Sequence, residues 1–79
     1  MNLSELPRGL DARIDSVLAQ GEDDVIARRL RDLGFVRGET VRVVAIGPFG
    51  GDPIAVQVSG ARFALRRREA ARVQLEPRS

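Results

Sequence analysis

The sequence predicts a mainly β fold with one α-helix: a small barrel of about five short strands, the helix inserted between the first and second strands. Three observations carry this. Ile54, Val56 and Val58 alternate with Ala55, Gln57 and Ser59, the two-residue period of a half-buried strand. Ile26, Leu30 and Leu33 recur at i, i+4 and i+7, the stripe of one amphipathic helix. Glycine- and proline-bearing turn signals punctuate the rest at short intervals, without any internal repeat. The length of 79 residues holds one domain, taken as residues 1–79.

The elements follow in order. Met1 to Leu10 is polar and interrupted by Pro7, and Leu6-Pro7-Arg8-Gly9 reads as a turn leading into the first strand. Ala12 to Leu18 is strand-like, with Ile14 and Val17 as its large apolar residues, and Gly21 closes it. Glu22, Asp23 and Asp24 place negative charge where a helix N-terminus favours it, and Gly34 stands where a left-handed C-cap belongs. Arg28, Arg29 and Arg31 then fall on the helix's solvent side, with Asp24 and Arg28 at ion-pair spacing. After a turn over Phe35 to Glu39, Thr40 to Ile46 forms a strand with Val41, Val43 and Ala45 on one face. Gly47 to Pro53 carries two prolines and three glycines in seven residues and reads wholly as loop. Ile54 to Val58 is the next strand, Gly60-Ala61 a turn, and Phe63 and Leu65 continue the alternation. Arg66 to Ala71 suits a single helical turn, and Val73 and Leu75 mark a last short strand. Closing such a sheet into a barrel would cover its edges.

Composition removes whole classes of chemistry. The chain has neither cysteine nor histidine, which excludes disulfides, thiolate metal sites and histidine-based catalytic triads. No catalytic residue and no cofactor are expected. The basic pI reflects titration, not charge: every basic side chain is Arg, and thirteen of them face eleven carboxylates for a net charge of +2. With an aromatic fraction of 4%, a basic groove studded with stacking rings is not expected, so a small-barrel nucleic-acid binder is the lesser alternative. A metal site would need oxygen ligands such as Glu22, Asp23 and Asp24, or Asp11 and Asp15; consecutive carboxylates diverge, so none is assigned. Gly47 to Gly51 lacks the Gly-Lys-Ser/Thr ending of a phosphate-binding loop. Without a basic start, an apolar run or a membrane-length apolar stretch, the chain is expected to be soluble and cytoplasmic.

From Leu30 to Leu75 the sequence resembles the FeoA family, the small partners of the ferrous-iron transporter FeoB. The resemblance rests on an ordered string: Leu30-x-x-Leu33-Gly34-Phe35-x-x-Gly38, Val41-x-Val43, Pro48-x-Gly50, Asp52-Pro53-Ile54, Val56-x-Val58, Gly60, and Leu65-Arg66-x-x-Glu69-Ala70-x-x-Val73. It departs at two places. The loop Phe49-Gly50-Gly51-Asp52 is one glycine longer than the usual form, and Ala61 stands where the family often carries Tyr. The resemblance implies an SH3-like barrel that is not an enzyme. It also implies a cytoplasmic module that supports ferrous-iron uptake by binding and stabilising or activating FeoB. The same architecture ends metal-dependent repressors, whose DNA- and metal-binding domains this sequence lacks.

The candidate contact residues are Phe49, Gly50, Asp52 and Pro53 of the loop, together with Arg66. A Phe between glycines and prolines suits an exposed anchor for a partner. The competing reading, that Phe49 folds back to plug one barrel end, is slightly favoured, because a short chain spares few aromatics from its core. Arg67 and Arg68 read as solvated turn residues, whereas Arg66 lies within the family-like string as a structural or contact residue. Homo-oligomerisation through an exposed strand edge is left open.

Overall fold

The computed structural model describes residues 1–77. After a 3-10 turn at Leu3–Glu5 come β1 (Asp11–Val17), α1 (Val25–Leu33), β2 (Thr40–Phe49), β3 (Asp52–Val58), β4 (Ala61–Leu65), a one-turn α2 (Arg67–Ala70) and β5 (Val73–Leu75). The strands form one antiparallel sheet in the order β4-β3-β2-β1-β5, so the expected five-stranded, SH3-like fold with its helix between β1 and β2 is present. The ladder itself does not close, however. β4 and β5 are its two edges, and α2 bridges the chain between them.

The helix is set by its caps. Asp24 accepts from the Ala27 amide at 3.1 Å, satisfying one of the free N–H groups of the first turn. At the other end Gly34 adopts φ 112°, and the amides of Gly34 and Phe35 donate back to Arg31 and Leu30 at 3.0 Å each. This is a Schellman closure, which brings Phe35 onto Leu30 and turns both into the core, where neither has any exposed surface.

Two bulges explain where simple alternation fails. Between Ile14 and Ser16, β1 advances two residues while β5 advances one, returning Val17 toward the core side three positions after Ile14. A second shift between Val43 and Ala45 turns Ala45 out to solvent, so it does not share the buried face of Val41 and Val43.

The Gly47 to Pro53 segment is mostly strand, contrary to the loop expected. β2 runs to Phe49, which pairs with Asp52, leaving only Gly50 and Gly51 as the turn, at φ 67° and 83°. Positive φ at both central residues matches the right-handed twist of a two-residue hairpin, and glycine adopts it without strain. Gly47 is needed for another reason: a Cβ there would lie 2.4 Å from the Pro53 carbonyl oxygen. Close packing of two backbones, and not loop formation, therefore accounts for part of the glycine content. The β3–β4 turn is Ser59-Gly60, not Gly60-Ala61, since Ala61 already pairs with Val58.

The N-terminal segment also departs from expectation. Asn2 caps the 3-10 turn by accepting from the Ser4 amide at 2.9 Å, and Glu5 accepts from the Asn2 amide at 2.9 Å. This reciprocal cap points Leu3 and Leu6 into the core beside Ile14, Val41, Val56 and Val73. Met1 accepts from the Leu75 amide at 2.9 Å and Asn2 bridges to Gln74, so the segment covers the outer edge of β5. Among the described residues no polar or charged side chain is buried, and no helix is long and apolar enough to cross a membrane. Leu3→Ala is expected to lower the unfolding free energy by about 2–5 kcal/mol, as for other fully buried leucines. Urea denaturation measures this, and a loss below about 1 kcal/mol would remove the N-terminus from the core.

Candidate functional site

The β2–β3 hairpin projects the most exposed large apolar side chain of the described residues. Phe49 is 83% exposed, so it does not plug the barrel; the core is already filled by Phe35 and the aliphatic residues around it. Phe63 packs on Phe35 at 6.0 Å between ring centroids, so two of the three aromatics serve the interior and the third is free. Pro48, Gly50 and Pro53 are exposed around Phe49, and Ile46 is half-exposed behind it.

The hairpin is held from below by Arg67. Its Nε donates to the Gly51 carbonyl at 2.6 Å, its Nη1 to the Ser4 carbonyl at 2.7 Å, and its backbone amide to Asp52 Oδ1 at 3.1 Å. Arg67 is therefore the structural arginine, and Arg66 and Arg68 are the exposed ones. The sequence expectation had Arg67 solvated and Arg66 as a structural or contact residue. Three consecutive arginines carry no local signal that separates them; only the path of the chain into α2 does. Arg66 caps this turn through its backbone, its amide donating to Glu69 Oε1 at 2.9 Å, which leaves its guanidinium outside. Arg66, Arg68 and Asp52 line an open groove of about 280 Å³ at the hairpin base. The five candidate residues thus gather at one end of the molecule: Phe49, Gly50, Asp52 and Pro53 through the hairpin, Arg66 through the start of α2.

Elsewhere several charged groups are tied to structure. Asp24 does not pair with Arg28; its carboxylate accepts from the Gln20 amide at 2.7 Å and from Ala27, and bonds Arg72. Arg72 also reaches the Gln20 side chain at 3.0 Å. Those backbone bonds first, then the Arg72 charge, hold the Asp24 carboxyl below its usual value of 3.8 against the opposing effect of burial. Of the helix arginines, all exposed, Arg29 lies 3.3 Å from Glu69. A polar cleft of about 480 Å³ contains Asp11, paired with Arg42 at 2.7 Å, and Glu39, which accepts from Ser59 at 3.1 Å. The hydrogen bond from Arg42 to Asp11 raises the guanidinium pKa further. Among the described residues no three Asp or Glu side chains converge to hold a metal ion.

Fold and site together define an SH3-like β domain that displays one exposed apolar hairpin tied at its base by Arg67. The chain belongs to the FeoA family: the FeoA domain pattern matches residues 1–77. It is similar to the zinc complex of FeoA from Stenotrophomonas maltophilia, described as a prokaryotic SH3 domain protein, with 56% identity and a TM-score of 0.88 over 96% of this chain and 89% of that one. It is similar also to iron(II) transport protein A from Clostridium thermocellum, with 37% identity and a TM-score of 0.83 over 96% of this chain and 44% of that one. A third relative is a fusion of Fe(2+) transport protein A with the Fe(2+) transporter FeoB from Porphyromonas gingivalis, 37% identical over 76 residues. Those residues are 96% of this chain and only 8% of the fusion protein.

Two outcomes are expected. Arg67→Met keeps the alkyl packing but leaves the Gly51 and Ser4 carbonyls unpaired, lowering stability by about 1–3 kcal/mol and speeding amide exchange in the hairpin; unchanged exchange would dismiss the tie. Because the Asp24 pKa is depressed in the folded state, its contribution is present above pH 3.8 and is lost as pH falls through the lower folded value. Denaturation between pH 2 and 6 should therefore show a shallower acid slope for Asp24→Asn than for the wild type.

Proposed function

We propose that this chain is a non-enzymatic protein-interaction module that supports ferrous-iron uptake by binding FeoB on the cytoplasmic side and stabilising or activating it. The single observation that carries this is the fused relative, in which a homologous domain and FeoB share one polypeptide. Covalent fusion holds two domains at high effective concentration, an arrangement that favours a pair working in contact. The contact is assigned to Phe49, Gly50, Asp52, Pro53 and Arg66. A protruding aromatic on a tied-down hairpin loses little conformational freedom on docking, which is how a small surface contributes disproportionate binding energy. Arg66 beside it offers a planar donor fork to a carboxylate of the partner.

The test is titration of the chain against the cytoplasmic GTP-binding domain of FeoB and against full-length FeoB in detergent. Saturable binding is expected, weakened about tenfold or more by Phe49→Ala, the effect of losing an interface anchor. The variant's melting temperature should not change, because Phe49 is 83% exposed. Binding insensitive to Phe49→Ala would move the contact elsewhere. Failure of the wild type to bind either form, with uptake unaffected by deletion of the chain, would overturn the function.

A further inference from the structure

β2 pairs with β1 only along the first half of that strand. Asp11, Ala12 and Arg13 face Arg42, Val41 and Thr40 of β2. Ile14 extends that side by one residue, donating to the Glu39 carbonyl and accepting from the Gly38 amide, each at 2.9 Å. Beyond Ile14 the chain leading into β2 turns away. The second half of β1 keeps β5 alone, with Ser16 opposite Gln74 and Val17 opposite Val73. Leu18 donates to the Arg72 carbonyl at 2.8 Å, toward the β5 side. Successive residues of a strand direct their main-chain groups to opposite edges, so the N–H and C=O of Val17 face away from β5.

That edge opens into a groove of about 300 Å³. Val17, Phe35 and Val36 give it an apolar lining; Phe35 is fully buried beneath and Val36 is 42% exposed. Arg31 and Arg37, both exposed, also line it, and neither forms an ion pair with a carboxylate of the described residues. Asp15 is the one acidic group there. The outer edges of β5 and β4 are protected differently. Met1 and Asn2 cover β5, and β4 presents the exposed charge of Arg62, a device that discourages strand pairing.

We propose that the second half of β1 accepts an extended acidic segment of a partner protein as an added strand. The main chain of Val17 supplies a donor and an acceptor to that strand. An apolar side chain of the segment packs on Val17 and Val36, above the buried Phe35, and carboxylates flanking it pair with Arg31 and Arg37. Two arginines against one aspartate set the preference for negative charge, since a like-charged segment would meet uncompensated repulsion. The surface is separate from the hairpin contact and does not rest on it.

Amide exchange and NMR titration of the ¹⁵N-labelled chain test this, with acetylated and amidated Glu-Val-Glu-Val-Glu as probe and Lys-Val-Lys-Val-Lys as its counterpart. In the free protein the Val17 amide is expected to exchange about tenfold or more faster than that of Leu18, as an unpaired edge group should. Saturation with the acidic peptide slows Val17 exchange by about tenfold and shifts the signals of Val17, Val36 and Arg37, while the lysine peptide does neither. The double variant Arg31→Glu, Arg37→Glu, on exposed positions that leave the core intact, should reverse that preference. A Val17 amide already protected in the free chain, equal binding of both peptides, shifts outside the groove, or none at millimolar acidic peptide would each overturn the proposal.

Discussion

One arginine joins three parts of the chain that are far apart in sequence. Through its guanidinium and its own amide, Arg67 ties α2 to the carbonyls of Ser4 and Gly51 and to the carboxylate of Asp52. Because β4 and β5 do not pair with each other, the N-terminal turn, the hairpin and α2 need a tie besides strand pairing to hold them relative to one another. A planar fork of donors reaches two carbonyls at once; a lysine ammonium, a single point of charge on a flexible stem, would not hold both with the same geometry. The tie also dictates its neighbour. A Cβ on Gly51 would lie 2.7 Å from Arg67 Nη2, at a φ of 83° that side-chain-bearing residues rarely adopt. The glycine is thus demanded twice, by the turn and by the arginine. The consequence reaches the surface: with its base fixed, the hairpin carries Phe49 outward and does not collapse onto the barrel.

A second set of ties places the helix. Asp24 receives two backbone amides and Arg72, Glu69 lies by Arg29 while capping α2, and Gly34 closes the C-terminus so that Phe35 enters the core. The negatively charged caps of both helices therefore also bind arginines from the neighbouring segment. This explains how a chain with thirteen Arg and eleven acidic residues spends much of its charge on architecture. It also explains why Asp24, whose carboxyl is held below its ordinary pKa, is a structural group although such perturbation often marks catalysis.

What could be read from the sequence was what local patterning controls. The helix, with Glu22, Asp23 and Asp24 at its start and Gly34 past its end, and the β3 face of Ile54, Val56 and Val58 follow from periodicity, charge and capping alone. Phe49 could be singled out because glycines and prolines surround it, but its direction could not, since plugging a barrel end and standing clear of it require the same local chemistry. The failures share a cause in backbone contacts between distant residues. Gly47 looked like loop because its glycine answers to the Pro53 carbonyl across the hairpin. Ala45 was placed inward because a bulge is invisible to a two-residue period. Leu3 and Leu6 were missed although Asn2 and Glu5 carry a capping pattern, because a single turn gives no periodicity to notice. Arg67 was passed over in favour of Arg66 because the difference lies entirely in where Ser4 and Gly51 arrive.

The two exposed apolar features belong to opposite ends of one strand. β2 starts at Thr40, beside the point where β1 loses its partner, and ends at Phe49, the hairpin tip. Ten residues of strand separate these ends by about 30 Å, even before bulges shorten the path. An occupant of the groove at Val17 and one at Phe49 would therefore not compete for space. The intervening strand is packed by Val41, Val43, Val56 and Val58, all buried, and pairs with β3 from Val41 to Phe49, although with β1 only from Thr40 to Arg42. Energetic coupling between sites requires an element with two arrangements that both sites bias. One continuous strand between the two proposed contacts supplies no such pair of arrangements, and that geometry suits two surfaces that act side by side without switching between states.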